Sequence, residues 1–530
     1  MTSAARHCLY TLFDFWVSSW LGRAMRVMLP SLIQVVQPAY SNKRKRKSRH
    51  GDDRANEKSM DVFAAEVRQL FEAPLPLERL FEMSAKFQDE YREKLRSSNI
   101  SMLPSYMHTL PTGNERGDFL ALDVGGSTCR IALIRLAGKT VEGDGLQVRR
   151  VRSFPIDEKI RQLTGRLFFD WMAARIGEMV AEYNHINGTT NALLQIGLTW
   201  SFPVEQTGPR TGKLLAMGKG FKAAHGLEGE DLSGIIMDAC LARGLNVEVC
   251  SIVNDGPATL LTQAYRDPST RMSLILGTGM NAAVFLPVSS IARDKFGVRP
   301  DSWYTSAQRV VVNTEISMFG KKALPTTRWD DELNANHRLP DFQPLEYLLT
   351  GRYLGEIVRL IIVEAISTYN LFSGLMPERL DVPYAFETRT LGTFESDRND
   401  DLSTASTAFR AAHSTRSPPK LRDLTFVREV GRLASRRAAA YLATSLHALW
   451  AVRIAAEGIQ PGEAGHVTIA CDGSMIEKYP GFKQCTQRYL DRLCELSGAS
   501  EGTVTLVLAP ESSIFGAAVA VACMAESNGA

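Results

Sequence analysis

The chain has 530 residues, 61 Lys plus Arg against 58 Asp plus Glu, and 45% hydrophobic residues, a composition that excludes collagen, mucin and wholesale disorder. At about 150 residues per domain the length predicts about two to four domains. The net charge of +3 hides an asymmetry: residues 1–51 carry nine Lys or Arg and one Asp, a net +8, which leaves −5 for the rest. A faintly acidic body without a dense basic stripe excludes a dedicated nucleic-acid domain, because neutralising phosphates needs clustered cations.

In chain order, residues 8–36 are the most apolar stretch, but Asp14, Arg23 and Arg26 interrupt it, so no clean run suited to a bilayer core exists. Two readings of this leader, residues 1–60, stand side by side: an amphipathic targeting or membrane-surface segment, and a disordered tail. Lys43-Arg44-Lys45-Arg46-Lys47 fits a nuclear import signal, an anionic-lipid patch or a merely solvated charge run. From about Met60, Val62, Leu70, Phe71, Leu77, Leu80 and Phe81 recur through charged residues as in amphipathic helices, which marks the start of the folded body. Strand-like runs at 119–124, 131–136, 193–198, 247–253 and 273–276 alternate with helical segments near 168–184, 232–243 and 346–369, the pattern of an α/β protein. Residues 397–422 are rich in Ser, Thr, Asp and Pro and predict an exposed insertion, with helices resuming from about Thr425 to Ala456. The eight cysteines are scattered without zinc spacing and read as reduced, buried thiols.

One internal similarity stands out. Strand-like Phe119 to Val124 leads into Gly125-Gly126-Ser127-Thr128, and strand-like Ser273 to Leu276 leads into Gly277-Thr278-Gly279, 152 positions later. Two glycine hairpins at this spacing suggest duplicated halves, and glycine turns with exposed N–H groups and hydroxyls can grip phosphate oxygens. Two unrelated β-turns are the plainer alternative. Gly208-Pro209-Arg210-Thr211-Gly212-Lys213-Leu214 is not a Walker A loop, being one residue short, with Leu214 in place of the Mg²⁺-binding hydroxyl and Pro209 lacking an N–H.

Taken in order, ten motifs resemble the hexokinase family across about residues 62–525. They are Leu122-Asp123-Val124-Gly125-Gly126-Ser127-Thr128-Cys129-Arg130, Ser201-Phe202-Pro203, Lys219-Gly220-Phe221, Asn254-Asp255, Gly277-Thr278-Gly279-Met280-Asn281 and Asn313-Thr314-Glu315. Glu346 with Gly351-Arg352-Tyr353-Leu354-Gly355-Glu356, Phe386-Glu387-Thr388-Arg389, Asp472-Gly473-Ser474 and Gly516-Ala517-Ala518 complete the series. The resemblance implies the actin-like, ribonuclease H-like sugar-kinase fold, with two α/β lobes around a cleft. Its N-terminal half would span 61–253 and its C-terminal half 254–530, the terminal helix packing back on the first lobe. The implied reaction moves the γ-phosphate of ATP, with Mg²⁺, to the 6-hydroxyl of glucose, fructose or mannose, at the entry to glycolysis.

Residue by residue, the resemblance makes Asp255 the general base and places Ser201, Lys219, Asn254, Asp255, Asn281, Glu315 and Glu346 on the sugar. Phosphoryl transfer to a hydroxyl needs a carboxylate to take the proton, and a hexose needs a mixture of carboxylates and amides around its hydroxyls. Asp255 also follows the apolar run 247–253, at the carboxyl-end crevice where such sheets bind ligands; a helix N-cap carboxylate is its bland alternative. Asp123 matches the residue that reaches Mg²⁺ through water. Gly125, Gly126, Ser127, Arg130, Gly277, Thr278, Thr388, Gly473, Ser474 and Ser513 fall at nucleotide-side positions.

The chain departs from the family's pattern at several places. Gly218 and Gly256 replace two usual threonines near the sugar, while Thr128, Arg352 and Gly392 replace Asn, Lys and Ser. Ser512-Ser513-Ile514 stands where Gly-Ser-Gly is usual, and β-branched Ile opposes a positive φ there, so the sequence predicts weakened ATP binding. Two functional readings follow: a working hexose kinase, and a catalytically impaired hexokinase-like regulator or sugar sensor with regulatory protein partners. The expected location is intracellular and cytoplasmic, with the leader allowing peripheral contact with the mitochondrial surface or nuclear import.

Overall fold

The computed structural model describes residues 49–139, 143, 145–218 and 220–527. The apolar stretch 8–36 and the basic run Lys43 to Lys47 lie outside the described residues. By internal contacts the chain divides into residues 1–55 and 56–530, and the elements of the second unit form the architecture that follows.

The two sheets share a five-strand order, to which the second adds a short edge strand, Leu103–Pro104. In the first, β1 (Arg116–Val124), β2 (Thr128–Ala137) and β3 (Leu146–Pro155) form an antiparallel meander; α1 (Arg166–Asn187) then leads to β4 (Leu194–Trp200), and α2 (Leu232–Leu241) leads to β5 (Val247–Val253), giving the order β3-β2-β1-β4-β5 with β4 and β5 parallel to β1. In the second, β6 (Thr270–Leu276), β7 (Met280–Pro287) and β8 (Arg309–Asn313) repeat the meander, and β9 (Val467–Asp472) and β10 (Val504–Leu508) extend it in parallel from β6. The two glycine hairpins of the sequence are the β1–β2 and β6–β7 turns, at equivalent places in the two sheets.

Each sheet buries a different set of helices. The outer face of the first packs on α1 and α2 through Phe168, Phe169, Met172, Ile176, Ile235 and Ile236. The larger lobe is built on the helix Leu354–Tyr369 and the 36-residue helix Leu421–Ala456, with Leu77–Ser97 packed against them through Leu80, Met83, Phe87, Tyr91 and Leu95, an apolar stripe at three- and four-residue steps. Residues 397–422 are not simply an exposed loop: they form the helix Ser403–Ala412, whose fully buried Phe409 stacks on Phe372 at 5.3 Å. Ser, Thr and Ala cover its outer face, which hides the two buried positions, Ala405 and Phe409, from a search for periodicity.

Between the sheets lie α3 (Asp255–Arg266) and α4 (Ser512–Ser527), in one core with Phe119, Ala121 and Ile134 of the first sheet and Ala283, Phe285 and Val311 of the second. The approach is close because small residues permit it: a Cβ on Gly516 would lie 2.1 Å from the Ala258 carbonyl oxygen. Among the described residues no helix is long and apolar enough to cross a membrane.

Candidate active site

The end of β5 sets up the first half of the site. Asn254 leaves the strand in an extended conformation and its side chain accepts the Gly256 N–H at 3.3 Å, capping α3. Asp255 is therefore the first helical residue, where the helix dipole favours a carboxylate, and its Oδ1 accepts the same N–H at 2.8 Å. The cap role that the sequence left open for Asp255 thus falls on its neighbour Asn254.

A chain of amides links this corner to the second sheet. Asn281 on β7 donates from Nδ2 to Asn254 Oδ1 at 3.0 Å and to Asn313 Oδ1 at 2.8 Å, and Asn313, ending β8, donates to Glu315 Oε1 at 2.9 Å. Glu346, 9% exposed, accepts the Met280 N–H at 2.9 Å. Gly279 makes that approach feasible, since a Cβ there would lie 2.8 Å from Glu346 Oε2. Glu315 sits in the left-handed region at φ 50. Burial pushes its carboxyl up to about 7, against the Asn313 bond, and the negative charges of Asp255 and Glu346 push the same way. Asn254, Asp255, Asn281, Glu315 and Glu346 therefore converge, and Asn313, which opens the Asn313-Thr314-Glu315 motif without a sequence-assigned role, is the hinge of the network. Ser201 joins the end of β1, its N–H donating to the Val124 carbonyl at 3.2 Å. Lys219 lies outside the described residues.

The nucleotide-side positions form a second group. The β1–β2 turn closes with Gly125 N–H donating to Thr128 O at 3.0 Å and the β6–β7 turn with Gly277 N–H donating to Gly279 O at 2.9 Å. The side chains at their tips, Ser127 and Thr278, are exposed, as is Ser474. Gly473, at φ 118, brings Ser474 against the second turn; a Cβ on Gly473 would meet Leu276 O at 2.5 Å. Thr388 accepts the Gly355 N–H at 2.8 Å, and the carbonyl of buried Ser513 accepts a bond from Thr199 Oγ1 at 2.7 Å. Strand register places Arg130 opposite Asp123, and the guanidinium binds Asp123 Oδ2 through Nη2 at 2.6 Å and Nε at 3.0 Å while Nη1 reaches Glu511 at 2.8 Å. Burial holds the Asp123 carboxyl above its usual value despite Arg130, with Asp472 and Glu511 adding to the rise.

The expected backbone conflict at Ile514 does not occur. Ser512 to Ile514 form the first turn of α4, Ile514 is 1% exposed in the core between the sheets, and the left-handed residue is Glu511 at φ 59. Ser512 bonds Asp472 through its N–H and its hydroxyl, and Thr259 through the hydroxyl. Asp472 and Glu511 are the site neighbours that sequence reasoning passed over. Asp472 opens the Asp472-Gly473-Ser474 motif, whereas nothing in the sequence marks Glu511. Among the described residues no group of three or more His, Cys, Asp or Glu could hold a metal ion. Both Arg130 bonds to Asp123 fall on Oδ2, which suits a single water-mediated contact to an ion carried mainly by substrate phosphates, the usual manner of Mg²⁺.

Duplicated sheets joined by central helices, with two glycine turns and a carboxylate–amide cluster at their strand ends, are the arrangement of an actin-like sugar kinase. Two family models described as hexokinase match residues 65–265 and 271–523. The chain is 31% identical over 465 residues to Hexokinase-1 of Oryza sativa subsp. japonica, covering 86% of this chain and 90% of the relative. It is 30% identical to Hexokinase-2 of Candida albicans, covering 88% and 95%. A solved hexokinase from Schistosoma mansoni complexed with glucose superposes with a TM-score of 0.72 at 29% identity over 89% of this chain and 99% of that one. The chain belongs to the hexokinase family.

Proposed function

We propose that the chain transfers the γ-phosphate of Mg-ATP to the 6-hydroxyl of glucose, fructose or mannose. The observation that carries this reading is the connected network from Asn254 through Asn281 and Asn313 to Glu315, with Asp255 at its corner. Fixed amides and carboxylates offer a hexose the paired donors and acceptors its hydroxyls need. Asp255, at a helix start beside that network, takes the hydroxyl proton as the oxygen attacks phosphorus. Ser201 and Lys219 complete the sugar set by family position. Ser127, Thr278 and Ser474 with the N–H of Gly126 hold the nucleotide's phosphates, Gly125, Gly277 and Gly473 let the backbone turn close to them, and Thr388 and Ser513 stand behind by family position. Asp123 meets Mg²⁺ through water, and the ion supplies charge neutralisation on the phosphates when bound.

A second reading, a sugar-binding regulator with little phosphotransfer, is favoured by one observation: Arg130 is paired with Asp123 on one side and Glu511 on the other, so its charge is already compensated and a phosphate is left only the guanidinium N–H groups that face neither carboxylate. A coupled assay on the full chain with Mg-ATP and each hexose separates the two. Steady product formation supports the kinase; saturable glucose binding without product supports the regulator.

A further inference from the structure

The helix Phe482–Leu496 runs beside the long helix Leu421–Ala456 and leaves a groove of about 620 Å³ between them, lined by none of the residues assigned to sugar or nucleotide. A second cavity, of about 780 Å³, adjoins it through Glu395, Arg432, Pro480 and Gly481. Arg432 and Arg436 stand one helical turn apart on the long helix, and Arg488 and Arg492 one turn apart on the other, all four exposed and lining the groove. The two pairs face each other, because Arg436 Nε donates to Tyr489 Oη at 3.0 Å.

The charge compensation is incomplete. Arg436 pairs with Glu72 at 3.2 Å and Arg492 with Glu495 at 2.7 Å. Among the described residues Arg432 and Arg488 form no ion pair. The carboxylate within the groove's lining is Glu395, which accepts a hydrogen bond from the Tyr479 hydroxyl; burial pushes it above the usual carboxylate range, against the Tyr479 and Ser435 bonds and the positive charge of Arg432, which lies beyond ion-pair distance. Guanidinium groups stay charged at any physiological pH, and their planar forks match phosphate oxygens two at a time. Leu75, Pro76 and Phe482 add an apolar wall at one end.

We propose that this groove binds a compact polyanion carrying two or more phosphate groups. Arg432 and Arg488 fork its phosphates, and its less polar part lies against Leu75, Phe482 and Tyr489. Bound there, it joins two helices of the large lobe to the Leu75–Pro76 connection, at a site separate from the phosphotransfer cleft.

The test uses the full chain with glucose and a non-hydrolysable ATP analogue present in excess, titrated with tripolyphosphate and followed by calorimetry and hydrogen exchange. Saturable binding is expected, with exchange slowed across residues 428–436 and 482–492. The R432Q/R488Q double variant should bind about a hundredfold more weakly, about tenfold for each guanidinium removed from a phosphate, with its glucose affinity unchanged. Vesicles of phosphatidylcholine containing phosphatidylinositol bisphosphate form the second arm. Sedimentation with them that the double variant abolishes assigns the phosphates to a lipid headgroup, whereas a response to tripolyphosphate alone assigns a soluble ligand. Failure of both probes to bind, or equal binding by the double variant, overturns the proposal.

Discussion

Glu315 combines a left-handed backbone with a carboxyl raised to about 7, and the second property has a sign that can be measured. Between the ordinary glutamate value and about pH 7 the folded protein holds a proton that the unfolded chain has released. Stability therefore falls as pH rises through that window and levels off above it, by on the order of 3 kcal/mol for this group. Glu315→Gln should flatten that part of the stability profile, read by denaturant unfolding from pH 4 to 8. The two glycines that replace threonines also separate at this scale. Gly256 has a helical backbone with room for a Cβ, its nearest neighbours lying at 3.5 Å, whereas Gly218 sits at φ 66. Gly256→Thr should lower the sugar KM by about two- to tenfold, one neutral hydrogen bond, while Gly218→Thr should bring no such gain and cost about 1–2 kcal/mol of backbone strain. Titration of each variant with glucose checks this. The site carboxylates and amides were legible as residue types in family order. The φ of Gly218 and Glu511 was not, because a backbone angle is fixed by what the neighbouring elements demand.

At the scale of elements, α4 shows how a local rule misleads. From sequence, Ile514 stands at a position where glycine is usual and so reads as a strained nucleotide loop; in the fold it opens a helix and fills the core shared by both sheets. Ile514→Gly is therefore expected to destabilise the protein by about 3–6 kcal/mol, the deleted side chain plus the helical glycine, and to bring no gain in phosphotransfer. Calorimetric unfolding with a parallel activity assay distinguishes this from relief of strain. The strand–turn–strand units around both glycine hairpins were readable because buried strands are continuous apolar runs bounded by turns. The helix Ser403–Ala412 was not, since its Ser, Thr and Ala surface masks the single large residue, Phe409, that anchors it.

For the whole molecule, duplicated sheets meet through α3 and α4, so the amide–carboxylate network and the glycine turns are held by helices that touch both sheets. Glucose binding should therefore survive deletion of residues 1–51, while the place where the protein resides should change. Fluorescence imaging of tagged full-length and truncated chains checks this, and an unchanged distribution counts against a targeting role for the basic leader. The duplication could be suspected from two hairpins 152 positions apart, but the shared strand order needed the pairing itself. The most direct measurement is glucose phosphorylation by the wild-type chain and by Asp255→Ala with Mg-ATP, alongside calorimetric glucose binding. The wild type should turn over, and the variant should still bind glucose while its rate falls about 10²- to 10⁴-fold. A wild type that binds glucose without forming product, or a variant as fast as the wild type, would contradict Asp255 as the base of a working hexose kinase.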